Sequence, residues 1–197
     1  MINNNTDFIY YKEKGLSKEK CNLIIDLFNK EEDQFNVLPG LIGPNAGRVD
    51  EKMKKCVEIY NKLSEENEYN GIFLDELEKT LNEYKKEHPF IEKGISAWRI
   101  NNIYKIQKYK PGEAYFELHC ETNCSIESSV NQILVWMIYL NDVTDGGYTE
   151  FPSQNKLLQP KSGSIIIWPS YWTHPHRGIT SKTQTKYIMT GWWSFVK

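Results

Sequence analysis

A histidine, a carboxylate two positions later and a distant second histidine can hold one face of a ferrous ion and leave the opposite face open for reactants. The chain contains such a set in Leu118-His119-Cys120-Glu121 and, further along, Thr173-His174-Pro175-His176-Arg177-Gly178. Three of its four histidines fall in these two segments. A histidine beside an acid is more often an ordinary surface or core pair, so either segment alone carries little weight. The distal ligand is open at this point. His174 and His176 stand two apart and would share one face of a strand, unless Pro175 between them breaks the alternation.

The elements that must position these residues change character near residue 95. Before it the pattern is helical. Ser17 is placed to cap a helix, without the capping box because Lys20 stands where a glutamate would close it. Cys21, Ile24, Ile25 and Phe28 then recur at helical spacing. Val49-Asp50 is expected to open a second helix with Met53, Val57, Tyr60 and Leu63 on one face, and Leu74 to Tyr84 a third, ending before His88-Pro89. From Ala97 onward short apolar or alternating runs separated by turn residues predict strands at 102–109, 132–140, 149–152, 156–158, 163–169 and 186–193. The run from Gln132 to Leu140 is apolar on both faces and reads as a central strand. Strands at this spacing suggest a jelly roll or barrel, giving a mainly β fold with N-terminal helices in one domain over 1–197.

Composition narrows the function classes. The 197 residues are 40% apolar, with a formal net charge of -2 and lysines interspersed with acids, so no basic footprint for nucleic acid is present. The start Met1-Ile2-Asn3-Asn4-Asn5-Thr6-Asp7 has no charged-then-apolar pattern and no segment has the length of a membrane span, so a cytoplasmic protein is expected. Cys21, Cys56, Cys120 and Cys124 are expected as reduced thiols, and no CxxC pair supports structural zinc.

An ordered series of motifs runs through the second half: Tyr109-x-Pro-Gly, His119-x-Glu121, Tyr139-Leu140-Asn141-Asp142-Val143, Gly146-Gly147-x-Thr149-x-Phe151-Pro152, Pro160-x-x-Gly163, His176-x-Gly178, and Lys186-Tyr187 leading to Trp192. In this order and spacing, residues 97 to 197 resemble the iron(II)- and 2-oxoglutarate-dependent dioxygenases, and among them the prolyl 4-hydroxylase-like branch, which includes short hydroxylase-like proteins encoded by bacteria and their viruses. The resemblance implies a double-stranded β-helix over 97–197 buttressed by helices from the support region 1–95. It implies hydroxylation of an unactivated C–H bond, with Fe(II) as metal, 2-oxoglutarate as cosubstrate and ascorbate as reductant. The substrate it implies is a prolyl or other residue in a peptide or protein; a small molecule stays open.

Carried over position by position, the resemblance makes His119, Glu121 and His176 the metal ligands. The family usually has aspartate where this chain has Glu121; glutamate keeps the charge and oxygen donor with one more methylene. It could instead orient a histidine from outside the ligand set. His176 is preferred over His174 because it begins the His-x-Gly motif and lies ten positions before Lys186, the basic residue that would pair with the far carboxylate of 2-oxoglutarate. Tyr109 would hydrogen-bond that same carboxylate, although its loop to His119 is one residue longer than usual. Tyr139 and Thr149 read first as packing residues, and Trp168, Trp172, Trp192 and Trp193 as core or cleft walls. Arg177 is expected either to hold an anion or to pair with an acid of the fold. Two other classes fit the residues: a cupin-type metal protein that uses no keto acid, and an inactive oxygenase scaffold that only binds.

Overall fold

A computed structural model describes residues 7–42, 47–64, 66–122 and 127–196. Cys124 and the first six residues, both used above, lie outside the described residues. In chain order the elements are β1 (Tyr10–Lys12), α1 (Lys18–Asp33), β2 (Leu38–Pro39), β3 (Leu41–Ile42), β4 (Arg48–Val49), β5 (Val57–Lys62), α2 (Asn70–Glu87) and α3 (Phe90–Lys93). Then follow β6 (Trp98–Tyr109), α4 (Glu127–Val130), β7 (Gln132–Tyr139), β8 (Thr149–Phe151), β9 (Lys156–Leu158), β10 (Ile165–Pro169), β11 (Arg177–Gly178) and β12 (Lys186–Phe195).

Seven strands form an antiparallel sheet in the order β1-β10-β7-β12-β6-β5-β2, and β11-β8-β9 form a smaller sheet. The large sheet is buried on both faces, and side-chain alternation divides it. Leu134, Trp136 and Ile138 of β7 join Ile106, Ile165, Ile167 and Met189 under the helices. Val135, Met137 and Tyr139 point the other way, toward Phe151, Ile166, Trp168 and Ile188. This is a jelly-roll arrangement, so β7 is the central strand its uninterrupted apolar run predicts.

The helices cover the outer face. Ser17 caps α1 by accepting the Lys20 N–H, and Cys21, Ile24 and Phe28 are buried beneath it. Helix α2 buries Phe73, Leu77, Leu81 and Tyr84. Phe73 lies 5.3 Å from Trp136, centroid to centroid. His88 ends α2 and packs on Tyr84.

The helix expected from Val49 does not form. Val57–Lys62 is strand β5, paired along its length with β6. The apolar spacing that suggested a helix also contains Val57, Ile59 and, on the opposite face, Glu58 and Tyr60, a period of two. β6 supplies ladder partners that a helix in this position would leave unpaired. With β1, β2 and β5 all in the large sheet, the support region is strand as well as helix. Trp172 is a second correction: it is 80% exposed and lines no core.

Candidate functional site

The cleft between the sheets receives side chains from β6 (Lys105, Gln107, Tyr109), β12 (Lys186, Ile188, Thr190, Trp192) and the two histidine segments. Residues two apart on a strand share a face, which places each of these sets on the inner side. The histidine segments are joined through their backbones: His119 N–H donates to the His176 carbonyl at 3.0 Å and His176 N–H to the His119 carbonyl at 2.8 Å. The Glu121 N–H donates to the Ser170 carbonyl at 3.1 Å, at the end of β10.

These ties bring together the three residues expected as ligands. One donor atom from each of His119, Glu121 and His176 lies within 4.8 Å of the others. Glu121 Oε1 is 3.7 Å from His119 Nε2 and 3.4 Å from His176 Nε2. Bonds of about 2.1 Å at right angles to one ion put neighbouring donors about 3 Å apart, so small adjustments suffice. His119 Nδ1 lies 2.8 Å from the Glu117 carbonyl and His176 Nδ1 lies 3.1 Å from the His174 carbonyl. Each carbonyl needs a proton on Nδ1, which leaves the Nε2 lone pair facing Glu121.

The electrostatics agree with a metal-binding role. Burial and the neighbouring His176 push His119 down to about 3, so it is neutral as a ligand must be. Burial pushes the Glu121 carboxyl up, but the Trp192 N–H and the facing His176 and His119, in the forms that carry a proton toward it, outweigh this and hold it at about 2. Tyr115 stacks flat on His119, with centroids 3.6 Å apart. Phe151 and Trp168 pack at 5.3 and 5.1 Å around His176.

His174 takes no part in this cluster. Its Nε2 lies 2.7 Å from the Asp7 carbonyl and its Nδ1 2.9 Å from Thr173 Oγ1, so both nitrogens are engaged elsewhere.

Lys186 starts β12 directly opposite Tyr109 of β6. It is 4% exposed, donates to the Gly147 carbonyl at 3.0 Å, and its ammonium sits 4.9 Å from the Tyr109 ring centroid. Among the described residues no carboxylate lies within ion-pair distance, and burial pushes it down to about 8. Buried Tyr109 is raised by desolvation and by Cys56, and keeps its hydroxyl proton. The Tyr139 hydroxyl donates to the Leu158 carbonyl at 3.1 Å and lies 2.7 Å from Thr149 Oγ1, whose hydroxyl can donate to it, a packing role. Arg177 pairs with Glu150, its cross-strand neighbour, at 2.6 Å. The second of its two expected roles is therefore the one seen.

Three features escaped sequence reasoning. Tyr115 and its stacking partner are four residues apart in a loop without periodicity. Trp192 donates its indole N–H to Glu121 Oε2 at 3.0 Å, where a wall residue was expected. Lys54 and Glu58 form a fully buried ion pair of 2.5 Å beside the cleft.

A larger groove of about 640 Å³ runs between α2 and β6, lined by Leu74, Leu81, Trp98 and Trp193. Among the described residues, the three-residue donor set lies in the smaller cleft and not in this groove.

A family model of the 2OG-Fe(II) oxygenase superfamily matches residues 104–194. Over that span, a little under half of its length, the chain is similar to that superfamily. A candidate prolyl 4-hydroxylase of Acanthamoeba polyphaga mimivirus is 32% identical over 103 residues, which is 45% of this chain and 43% of that protein. The chain thus matches under half of its curated viral relative. Among solved structures, the 2OG complex of the viral collagen prolyl hydroxylase from Paramecium Bursaria Chlorella virus-1 aligns with a TM-score of 0.70 at 20% identity, covering 97% of this chain and 98% of that one. The Trichoplax adhaerens prolyl hydroxylase bound to a hypoxia inducible factor peptide aligns at 0.71 and 13% identity, covering 96% and 84%. At these identities the shared property is the fold, the double-stranded β-helix of the prolyl hydroxylases.

Proposed function

We propose that this protein is an Fe(II)- and 2-oxoglutarate-dependent dioxygenase that hydroxylates a C–H bond, with a prolyl residue in a peptide or protein as the substrate class. The observation that carries the reading is one cleft holding both a three-residue donor cluster and, in Lys186, a buried cation with no carboxylate partner among the described residues. A buried ammonium is costly unless an anion meets it, and the far carboxylate of 2-oxoglutarate is such an anion.

His119, Glu121 and His176 would hold the iron by one face. Lys186 and Tyr109 would take the far carboxylate from opposite strands, fixing the cosubstrate's direction. Met137, Ile188 and Trp168 line the same cleft and keep water from the reacting atoms. When bound, iron and 2-oxoglutarate supply the oxidising chemistry, which yields succinate, carbon dioxide and a hydroxylated product. The prolyl peptide preference rests on the relatives. We read residues 1–197 as one oxygenase domain that works with ascorbate as reductant in the cytoplasm; no described helix is long and apolar enough to cross a membrane.

The test is succinate release from 2-oxoglutarate by protein supplied with Fe(II), ascorbate and oxygen, against a His176→Ala control, followed by mass spectrometry of proline-containing peptides. The expected result is succinate above control, accelerated by a peptide that gains one oxygen. Metal binding without succinate under any condition would favour an inactive scaffold.

A further inference from the structure

A glutamate that binds iron through both carboxylate oxygens occupies two positions, and with two histidines it leaves two of six. A chelating keto acid and oxygen together need three. A long, freely rotating glutamate therefore needs something to hold its second oxygen away from the metal. We propose that the Trp192 indole N–H is this positioning group, making Glu121 a ligand through Oε1 alone. The inference rests on the metal-site reading above and deepens it.

The geometry separates the two oxygens. Oε1 faces His176 Nε2 at 3.4 Å and His119 Nε2 at 3.7 Å. Oε2 faces away and accepts from Trp192 Nε1 at 3.0 Å. Indole N–H is a donor only, so it stays attached to the anionic oxygen and has no lone pair to offer a metal. Both ends of this bond are fixed in the fold. Trp192 lies within β12, opposite Val135 of β7, while the Glu121 backbone is tied to Ser170. The Lys105 ammonium lies 5.8 Å from the Trp192 ring centroid. A cation over the ring draws electron density from it and makes the N–H a better donor. An aspartate, one methylene shorter, would draw back from the indole, so Trp192 matches the glutamate found in this chain.

The experiment counts water molecules on bound Mn(II) by proton relaxation in the full chain and in Trp192→Phe, which keeps a ring and deletes the donor. Three exchangeable waters are expected on the unaltered protein and two on Trp192→Phe, whose released oxygen takes the vacated position. The 2-oxoglutarate affinity of the Mn(II)-loaded variant should fall about tenfold, because one carboxylate contact must be broken again. Three waters and unchanged 2-oxoglutarate affinity in Trp192→Phe overturn the proposal. Failure of the unaltered chain to bind Mn(II) overturns the metal site itself, a different result. Should Trp192→Phe fail to fold, proton NMR of the unaltered protein decides: one indole N–H should be shifted downfield and move upfield in Glu121→Asp, and an unmoved set of indole signals counts against it.

Discussion

On the proposed function, Lys186 is the residue on which 2-oxoglutarate binding would turn. Truncating one partner of a buried, charge-assisted pair costs about 2 to 5 kcal/mol, so Lys186→Ala should weaken 2-oxoglutarate binding at least about thirtyfold with Mn(II) affinity nearly intact. Equal affinities by calorimetry would remove Lys186 from the site. Its titration makes a second prediction. Burial lowers it to about 8 in the free protein, against about 10.4 in an unfolded chain. Between those values the unfolded chain binds more protons, so the free protein gains stability as pH rises from 8 toward 10. A bound carboxylate favours the ammonium, so binding above pH 8 must take up a proton and the affinity must fall, by up to about tenfold per pH unit. Calorimetry at pH 9 in buffers of different ionisation enthalpy should reveal that uptake in the parent and not in Lys186→Ala. For the metal, His119→Ala and His176→Ala should abolish stoichiometric Mn(II) binding and His174→Ala should retain it; the reverse pattern would exchange the two histidines.

At the scale of elements, the pairing of β5 with β6 brings Glu58 into the interior. There it accepts from Lys54, from Gln107 Nε2 at 3.0 Å, from the Leu41 N–H at 2.9 Å and from the Tyr60 hydroxyl at 3.0 Å. Removing one member of such a pair strands a buried charge and costs about 3 to 5 kcal/mol, whereas replacing both with apolar residues of similar volume is often close to neutral. Chemical denaturation should therefore find Glu58→Leu strongly destabilised and Lys54→Met combined with Glu58→Leu considerably less so. Additive losses in the double variant would show that the pair contributes no mutual stabilisation. The pairing of β12 with β7 is similarly close: a Cβ on Gly191 would meet the ring of its cross-strand partner Trp136 at 2.3 Å, which explains a glycine in the middle of a central strand.

At the scale of the whole molecule, the helices and the candidate cleft lie on opposite faces of one sheet, and β7 contributes to both cores. A helix-side truncation should therefore loosen the cleft. Phe73→Ala removes a ring in contact with Tyr104 and Trp136 and should cost about 3 to 5 kcal/mol. Unfolding followed by far-ultraviolet dichroism and by loss of Mn(II) binding should give one coincident transition. Two separated transitions would divide the chain into independent units and overturn the single-domain reading.

Much of the site was legible in the chain itself, because the chemistry constrains residue type and spacing. His119-x-Glu121, the distal histidine and Lys186 could be named from motif order. The strands that carry them follow from period-two and continuous apolar runs, which report burial directly. The cap at Ser17 and the stripes of α1 and α2 follow from local rules of the same kind. Long-range contacts were not legible. Whether residues 57–62 are helix or strand depends on β6, some forty residues away, supplying hydrogen bonds. The choice between His174 and His176 rested on spacing, whereas in the folded chain the Asp7 carbonyl engages one and backbone pairing with His119 turns the other inward. Arg177 had two possible roles until β11 paired with β8 and put Glu150 beside it. The Trp192 contact with Glu121 joins residues 71 apart, and no local pattern encodes which of six tryptophans will point its N–H at a carboxylate. Local periodicity pointed to most of the elements, and residue chemistry together with the family resemblance pointed to the candidate donor set; only the tertiary packing decided the strand at 57–62 and which polar atoms meet, because a hydrogen bond depends on distances that sequence separation does not contain.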